Sequence, residues 1–168
     1  HPLVALEEGR MPLVITEGEL DTLVAIQCGF PLTVSVPNGA PPESPRDFAE
    51  SGSEDQDGRY KYLWNAREKL KRVKRFILAV DADGPGRRLF SELKYQLMES
   101  RCSFVEYPFD CKDLNDVLIK HGPEEVTRVL NAAKPCPVQG LYRLSDYPDE
   151  GPLQTHSTGW PLLDRHFR

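Results

Sequence analysis

Two short apolar runs, each stopped by acids and glycine, constrain this chain more than any other feature. Leu13-Val14-Ile15-Thr16 ends at Glu17-Gly18, and Arg75-Phe76-Ile77-Leu78-Ala79-Val80 ends at Asp81-Ala82-Asp83-Gly84-Pro85-Gly86. Such runs are too short for helices. Their apolar residues are consecutive rather than alternating, and many are β-branched, which is the pattern of strands buried on both faces. A strand of that kind needs cover above and below, so helices must come between the strands.

The rest of the chain supplies them. Leu20, Leu23, Val24 and Ile26 fit a helix from Glu19 to Cys28, with Gly29 as its stop. Leu32 to Val36 reads as a second strand closed by Pro37-Asn38-Gly39. Residues 60–72 have helical spacing through Tyr60, Leu63, Trp64 and Leu70. After the run to Val80, a helix from Gly86 to Ser100 carries Leu89, Phe90, Leu93 and Leu97 on one face. Cys102 to Tyr107 forms a fourth strand, and a short helix follows Cys111-Lys112-Asp113 and runs to His121. A last helix runs from Pro123 to Ala133, with Glu124 and Glu125 in its first turn. Alternation of this sort predicts an α/β fold, a mainly parallel four-stranded sheet flanked by helices and joined by right-handed crossovers.

The 168 residues suit one domain with short flanks. The expected division is an N-terminal flank at 1–10, a domain over 11–134, and a Pro-rich linker or arm over 135–168. Within the domain, residues 40–58 hold three prolines and six acids against one base, which reads as an exposed acidic insertion. His1 stands where a start methionine would be, and His166-Phe167-Arg168 breaks off in mid-pattern, so the expectation is a piece of a longer protein. No apolar run approaches the ~20 residues of a membrane span, and no leader pattern is visible. The expected place is the cytoplasm of a bacterial or phage-infected cell, with an organelle matrix as the alternative. Cys28, Cys102, Cys111 and Cys136 form no C-x-x-C pair, so reduced, mostly buried thiols and no zinc in this segment are expected. A net charge of −5 argues against gripping duplex DNA by bulk electrostatics, but not against meeting nucleic acid through metal ions.

Ligands of open α/β sheets bind beyond the carboxyl ends of the strands. There the sequence puts Glu17 and Asp21 after the first strand, Asp81 and Asp83 after the third, and Asp113, Asn115 and Asp116 after the fourth. Any one acid reads as an ordinary helix cap. Three groups converging on one edge would repel one another, and a cation is the natural remedy. With oxygen ligands and no His or Cys in the three groups, Mg²⁺ is the expected ion, with Mn²⁺ able to substitute, and phosphoryl or nucleotidyl transfer the expected chemistry. Gly84 and Gly86 permit close backbone approach, and Arg87 and Arg88 at the helix start read equally as anion contacts or as solvated side chains.

As a set, these residues resemble the TOPRIM family of primases, topoisomerases and some nucleases. The carriers are Leu13-Val14-Ile15-Thr16-Glu17-Gly18-Glu19-Leu20-Asp21 and Ile77-Leu78-Ala79-Val80-Asp81-Ala82-Asp83-Gly84-Pro85-Gly86. Within that family the chain is similar to phage-type primase–helicases and Twinkle-like helicases. This likeness is carried by Ser35-Val36-Pro37-Asn38-Gly39-Ala40, Tyr62-Leu63-Trp64-Asn65 and Cys111-Lys112-Asp113-Leu114-Asn115-Asp116-Val117-Leu118. Gly140-Leu141-Tyr142 and Ser157-Thr158-Gly159-Trp160-Pro161-Leu162-Leu163-Asp164 look like the run into a RecA-type helicase domain.

The resemblance implies a compact Rossmann-like fold. It makes Glu17 the general acid/base and a metal contact, Asp81, Asp83 and Asp113 metal ligands, and Asp21, Lys112 and Asn115 supporting residues. Asn115 departs from bacterial DnaG-type primases, which often carry a second Asp there. The implied partners are single-stranded DNA template and nucleoside triphosphates, with an N-terminal primase subdomain and a C-terminal helicase domain that this segment lacks. The implied activity is that of a DNA primase-type nucleotidyltransferase, which this segment alone would not show. The alternatives are a non-catalytic module of a Twinkle-like helicase or a TOPRIM nuclease. A dehalogenase-type phosphatase is disfavoured, because Gly84-Pro85 follow the Asp-x-Asp and Glu17-Gly18 would be unexplained.

One basic run remains. Six of the nine residues from Arg67 to Arg75 are Lys or Arg. A solvated helix end is the simpler reading; a nucleic-acid or nucleotide contact through Lys71 and Lys74 is the alternative.

Overall fold

The computed structural model describes residues 11–37, 60–138, 140 and 158–165. The sequence-predicted insertion at 40–58 and the flank at 1–10 lie outside them. The chain divides into two units, His1–Pro137 and Val138–Arg168.

In the first unit the strands are β1 (Leu13–Thr16), β2 (Thr33–Ser35), β3 (Phe76–Ala79), β4 (Cys102–Phe104) and β5 (Lys134–Pro135). The helices are α1 (Glu19–Gln27), α2 (Lys61–Leu70), α3 (Gly84–Gln96), α4 (Leu114–His121) and α5 (Pro123–Asn131), with a 3₁₀ turn at Glu99–Arg101. The sheet order is β2-β1-β3-β4-β5. The first three pairings are parallel, while β4 and β5 run antiparallel with Ser103 opposite Pro135.

The consecutive apolar runs behave as two-faced strands should. Ile15, Phe76 and Leu78 point into a core with Leu89, Leu93 and Leu97 of α3, against which Tyr62 and Leu63 of α2 pack. Their neighbours Val14, Ile77 and Ala79 point the other way, onto Val24 of α1, Leu114 and Val117 of α4, and Val126 and Leu130 of α5. All four residues of β3 are buried, as expected for the central strand.

Three details differ from the sequence expectation. The sheet has five strands, because Lys134–Pro135 pairs along β4 and Cys136 enters the core, so the sheet extends past residue 134. Proline at the outermost strand is allowed, since an edge strand can do without one donor. Strand β4 stops at Phe104 rather than Tyr107. Helix α3 begins at Gly84, two residues early, because Asp83 caps it and Pro85 suits its first turn.

Glycine is required at position 86. A Cβ there would lie 2.1 Å from the Asp81 carbonyl oxygen, so α3 packs directly on the backbone leaving β3. In the second unit, Pro161–Asp164 form a single helical turn, and Asp164 Oδ1 accepts from both the backbone N–H (2.8 Å) and the hydroxyl (2.7 Å) of Thr158.

Candidate functional site

Parallel strands β1 and β3 end side by side, Thr16 being paired with Ala79, so the residues that follow them emerge at one rim. The turn after β1 is held from within. Thr16 is fully buried, its hydroxyl donates to the Gly18 carbonyl (3.0 Å), and it lies 2.7 Å from the Thr22 hydroxyl. Glu17 is thereby directed across the rim, where its Oε2 accepts a 3.4 Å hydrogen bond from the Asp81 N–H.

A third segment closes the rim from the β4 side. The Lys112 carbonyl accepts from the Ala82 N–H (2.8 Å), pinning the α4 approach to the Asp81-Ala82-Asp83 turn. Asp113 caps α4 through Oδ1, which accepts from the Asp116 N–H at 2.7 Å, and its Oδ2 faces Lys112 Nζ at 3.5 Å. The same ammonium lies 3.8 Å from Asp81 Oδ2. Asp21, on α1, is buried and accepts the Asn115 N–H at 3.0 Å, so it serves as a second, long-range cap for α4.

Electrostatics follow from this crowding. Burial first, and then Glu17, Asp21 and Asp113, push the Asp81 carboxyl up to about 7; Lys112 opposes them. Burial chiefly, with Asp113 adding to it, raises Asp21 as well. Lys112 is held more firmly protonated by Asp81 and Asp113. Burial, and then the neighbouring carboxylates, thus disfavour the charged form of Asp81, and a bound cation would favour it again.

Of the sequence-predicted residues, Glu17, Asp21, Asp81, Lys112 and Asp113 are brought together. Asp83 stands at the outer edge, exposed, with Oδ1 accepting from the Gly86 N–H at 2.8 Å. Asn115 contributes its backbone N–H to Asp21. Asp116 turns away to the Lys112 N–H (3.3 Å) and Lys120 Nζ (3.5 Å). Arg87 folds back onto the Ala82 carbonyl at 3.0 Å, and Arg88, half-buried, lies along the first turn of α3 beside Gly84. Lys71 and Lys74 are not in this group. They precede β3, at the opposite end of the parallel strands, and Lys71 is paired with Glu68 at 3.0 Å.

One residue escaped the sequence reading. Tyr107, just beyond β4, buries a hydroxyl that has no hydrogen-bond partner among the described residues. Burial, and then Asp21, Asp81, Asp113 and Glu17 in that order, push its pKa well above the usual phenol range. The sequence offered no signal for it, since it falls inside the strand expected from Cys102 to Tyr107.

The donor chemistry suits a hard divalent cation, since the rim offers carboxylate oxygens with a buried hydroxyl beside them, while among the described residues no three of these carboxylates bring ligand atoms within 4.8 Å of one another. A five-stranded α/β sheet with carboxylates from three distant segments at its carboxyl rim defines the class. The Toprim-like family model matches residues 14–118, and the chain belongs to that family.

Among curated proteins, the chain is 38% identical over 174 residues to the Arabidopsis thaliana Twinkle homolog protein, chloroplastic/mitochondrial, covering 95% of this chain and 24% of that one. It is also 38% identical over 137 residues to the Arabidopsis thaliana primase homolog protein, covering 79% of this chain and 40% of that one. The chain therefore spans less than half the length of either relative. Among solved structures, the primase fragment of the bacteriophage T7 primase–helicase superposes with a TM-score of 0.53 at 24% identity, covering 71% of this chain and 43% of that one. The Aquifex aeolicus primase gives 0.51 at 20% identity, covering 77% and 27%. Likenesses at that identity show the fold alone, and the fold they share is this one.

Proposed function

We propose that this chain is the Mg²⁺-dependent catalytic module of a DNA primase, supporting RNA primer synthesis by nucleotidyl transfer within a longer primase–helicase-like protein. The observation that carries the reading is the Glu17 carboxylate bound to the Asp81 backbone N–H at 3.4 Å, with the Asp81 carboxyl raised to about 7 by burial and by Glu17, Asp21 and Asp113. Glu17, Asp81, Asp83 and Asp113 would hold Mg²⁺, or Mn²⁺ in its place. The ion would supply charge neutralisation at the phosphate and a lowered pKa for the attacking oxygen.

The chain's own groups have defined tasks in this reading. Glu17 Oε2, oriented by the Asp81 N–H, is the general base for the attacking hydroxyl. Asp21 holds α4 in place and with it Asp113. Lys112 is the resident counter-charge that a bound ion would displace, its side chain being 60% exposed and free to swing outward. Arg87 and Arg88 are proposed contacts for substrate phosphates. The partners would be single-stranded DNA template, nucleoside triphosphates, and primase and helicase portions of the same protein, with the arm toward the helicase portion starting after Pro137 rather than at 135, because β5 and Cys136 belong to the sheet domain. An organelle matrix is the proposed location, on the strength of the Arabidopsis Twinkle homolog's name, ahead of the bacterial or phage-infected cytoplasm expected from sequence. No described helix is long and apolar enough to cross a membrane.

The test is template-directed primer synthesis by the full-length protein carrying Glu17→Gln or Asp81→Ala. A loss of at least about 100-fold is expected, the scale of removing a general base; wild-type rates in both would overturn the reading. A second reading has one observation in its favour. Lys112 already sits between Asp81 and Asp113, as a protein cation would in a structural module of a Twinkle-like helicase. Intact helicase activity with no priming in the wild-type protein would select it.

A further inference from the structure

The loop between β4 and α4 carries a second group of potential ligands, chemically unlike the carboxylate rim. Asp110, Cys111 and His121 place a carboxylate oxygen, a thiol sulfur and an imidazole nitrogen within 4.8 Å of one another. His121 Nε2 is 2.9 and 3.2 Å from the two Asp110 carboxylate oxygens, and Cys111 Sγ is 3.6 Å from Oδ1. Around a tetrahedral ion with bonds of about 2.0 to 2.3 Å, neighbouring ligand atoms stand about 3.3 to 3.7 Å apart. The two separations from the Asp110 carboxylate are thus within a few tenths of an ångström of those values, and the third lies within 4.8 Å, with a fourth position left toward solvent.

Local structure explains how residues ten apart in sequence meet. The segment before Asp113 folds back along α4, with the Cys111 N–H donating to the Pro108 carbonyl at 2.9 Å. His121 is the last residue of α4, where the partial negative charge of the helix end favours a cation. The burial gradient also suits a site at the surface. Cys111 is buried, whereas Asp110 and His121 are exposed and can close over an ion. Of the cations near this loop, Lys120 is the one in contact with Asp110. Its ammonium contacts the Asp110 main-chain oxygen and Asp116, leaving the Asp110 carboxylate to His121 and Cys111.

We infer that Asp110, Cys111 and His121 form a site for a zinc-class divalent transition metal, separate from the Mg²⁺ site. The ligand set decides the ion: sulfur and imidazole nitrogen select Zn²⁺-like ions and are poor partners for Mg²⁺. On binding, sulfur–metal, nitrogen–metal and carboxylate–metal bonds form, the Cys111 thiol proton and the Nε2 proton that His121 shares with Asp110 pass to solvent, and the neutral ring keeps or takes its one proton on Nδ1. Sequence alone predicted no zinc here for want of a C-x-x-C pair. The spacing in this group joins adjacent residues to one a helix away, which no short motif covers. An occupied site would fix the segment that ends in Lys112 and Asp113.

Co²⁺ as a spectroscopic stand-in tests this on the full chain. One equivalent should give a thiolate-to-cobalt charge-transfer band that excess Zn²⁺ bleaches and excess Mg²⁺ leaves alone. The band should vanish in Cys111→Ser and weaken at least about tenfold in affinity in His121→Gln, an exposed position whose replacement leaves the core intact. It should persist in Asp81→Asn and in Cys28→Ser. No band in the wild type, a band that survives Cys111→Ser, or one lost in Asp81→Asn would each overturn the assignment.

Discussion

The two ends of the parallel sheet are built from opposite charges and do opposite work. At the carboxyl ends of β1 and β3 and beyond β4, Glu17, Asp21, Asp81 and Asp113 crowd together, with Lys112 paired to Asp81 and Asp113. At the amino ends lie the basic residues 67–75 and Arg101, and here charge is spent on the chain itself. Arg101 Nη1 donates to the carbonyls of Leu70 (3.3 Å), Lys71 (3.3 Å) and Val73 (2.8 Å), while Nε and Nη2 reach the Leu97 carbonyl at 3.2 and 3.0 Å. Arg67 stacks over Trp64 at 3.9 Å and pairs with Glu68. At the basic rim Arg101 satisfies backbone oxygens and Glu68 pairs with Arg67 and Lys71; at the acidic rim burial and neighbouring carboxylates raise Asp81 instead. Perturbed carboxylates clustered at one rim of a scaffold point to a ligand there, whereas an arginine bound to main-chain carbonyls points to stability.

That contrast can be broken at several points. The largest stability effect is expected at Asp81. Its folded-state pKa, about 7, lies well above the usual carboxylate range, so the folded protein holds a proton there that the unfolded chain gives up. Without divalent ions, stability should therefore fall as pH rises from about 4 to about 7, by up to about 4 kcal/mol. Thermal melts of Asp81→Asn should lack that slope, and Mg²⁺ should restore wild-type stability above pH 7. A wild-type protein with no such slope would remove the raised Asp81 from the account.

Next comes Gly86→Ala. Its Cβ would meet the Asp81 carbonyl at 2.1 Å, so α3 must move off the end of β3. Denaturant unfolding should show a loss of about 2–4 kcal/mol, and calorimetric Mg²⁺ uptake should weaken because Asp81 is displaced.

Arg101→Ala addresses the other rim. Leaving several half-buried carbonyls without their charged donor should cost about 1.5–3 kcal/mol with Mg²⁺ binding unchanged; weakened Mg²⁺ binding would show that the rims are coupled. The smallest effect belongs to Lys71→Glu combined with Lys74→Glu. Both precede β3 at the basic rim, and the Lys71–Glu68 pair is exposed, so stability should change by less than about 1 kcal/mol. Single-stranded DNA affinity and its salt dependence should also hold. A marked drop in affinity would instead make the basic rim part of the nucleic-acid path.

Much of this fold is legible in local sequence because its strands are two-faced. Consecutive apolar residues in 13–16 and 76–79 can only be satisfied by helices on both sides, and the chain order then leaves few topologies. The carboxyl-rim acids are legible for the same reason, since whatever follows a parallel strand must surface at that edge. Strand β5 was not, because two residues including a proline carry no strand pattern; their pairing depends on the neighbouring edge of β4 being open. Tyr107 looked like a strand residue and is instead a buried hydroxyl among carboxylates, a fact about three-dimensional neighbours only.

By itself, the sequence determined the layering, the strand order's sense and which segments carry acids, because hydrophobic periodicity and strand-end chemistry act within a few residues. Tertiary structure alone decided which group each charge meets. Whether a lysine or arginine meets a carboxylate, a carbonyl or solvent depends on contacts between segments tens of residues apart, such as Arg101 with Val73 or Asp21 with Asn115. Coulombic and desolvation energies vary steeply over those few ångströms, and no local pattern encodes them.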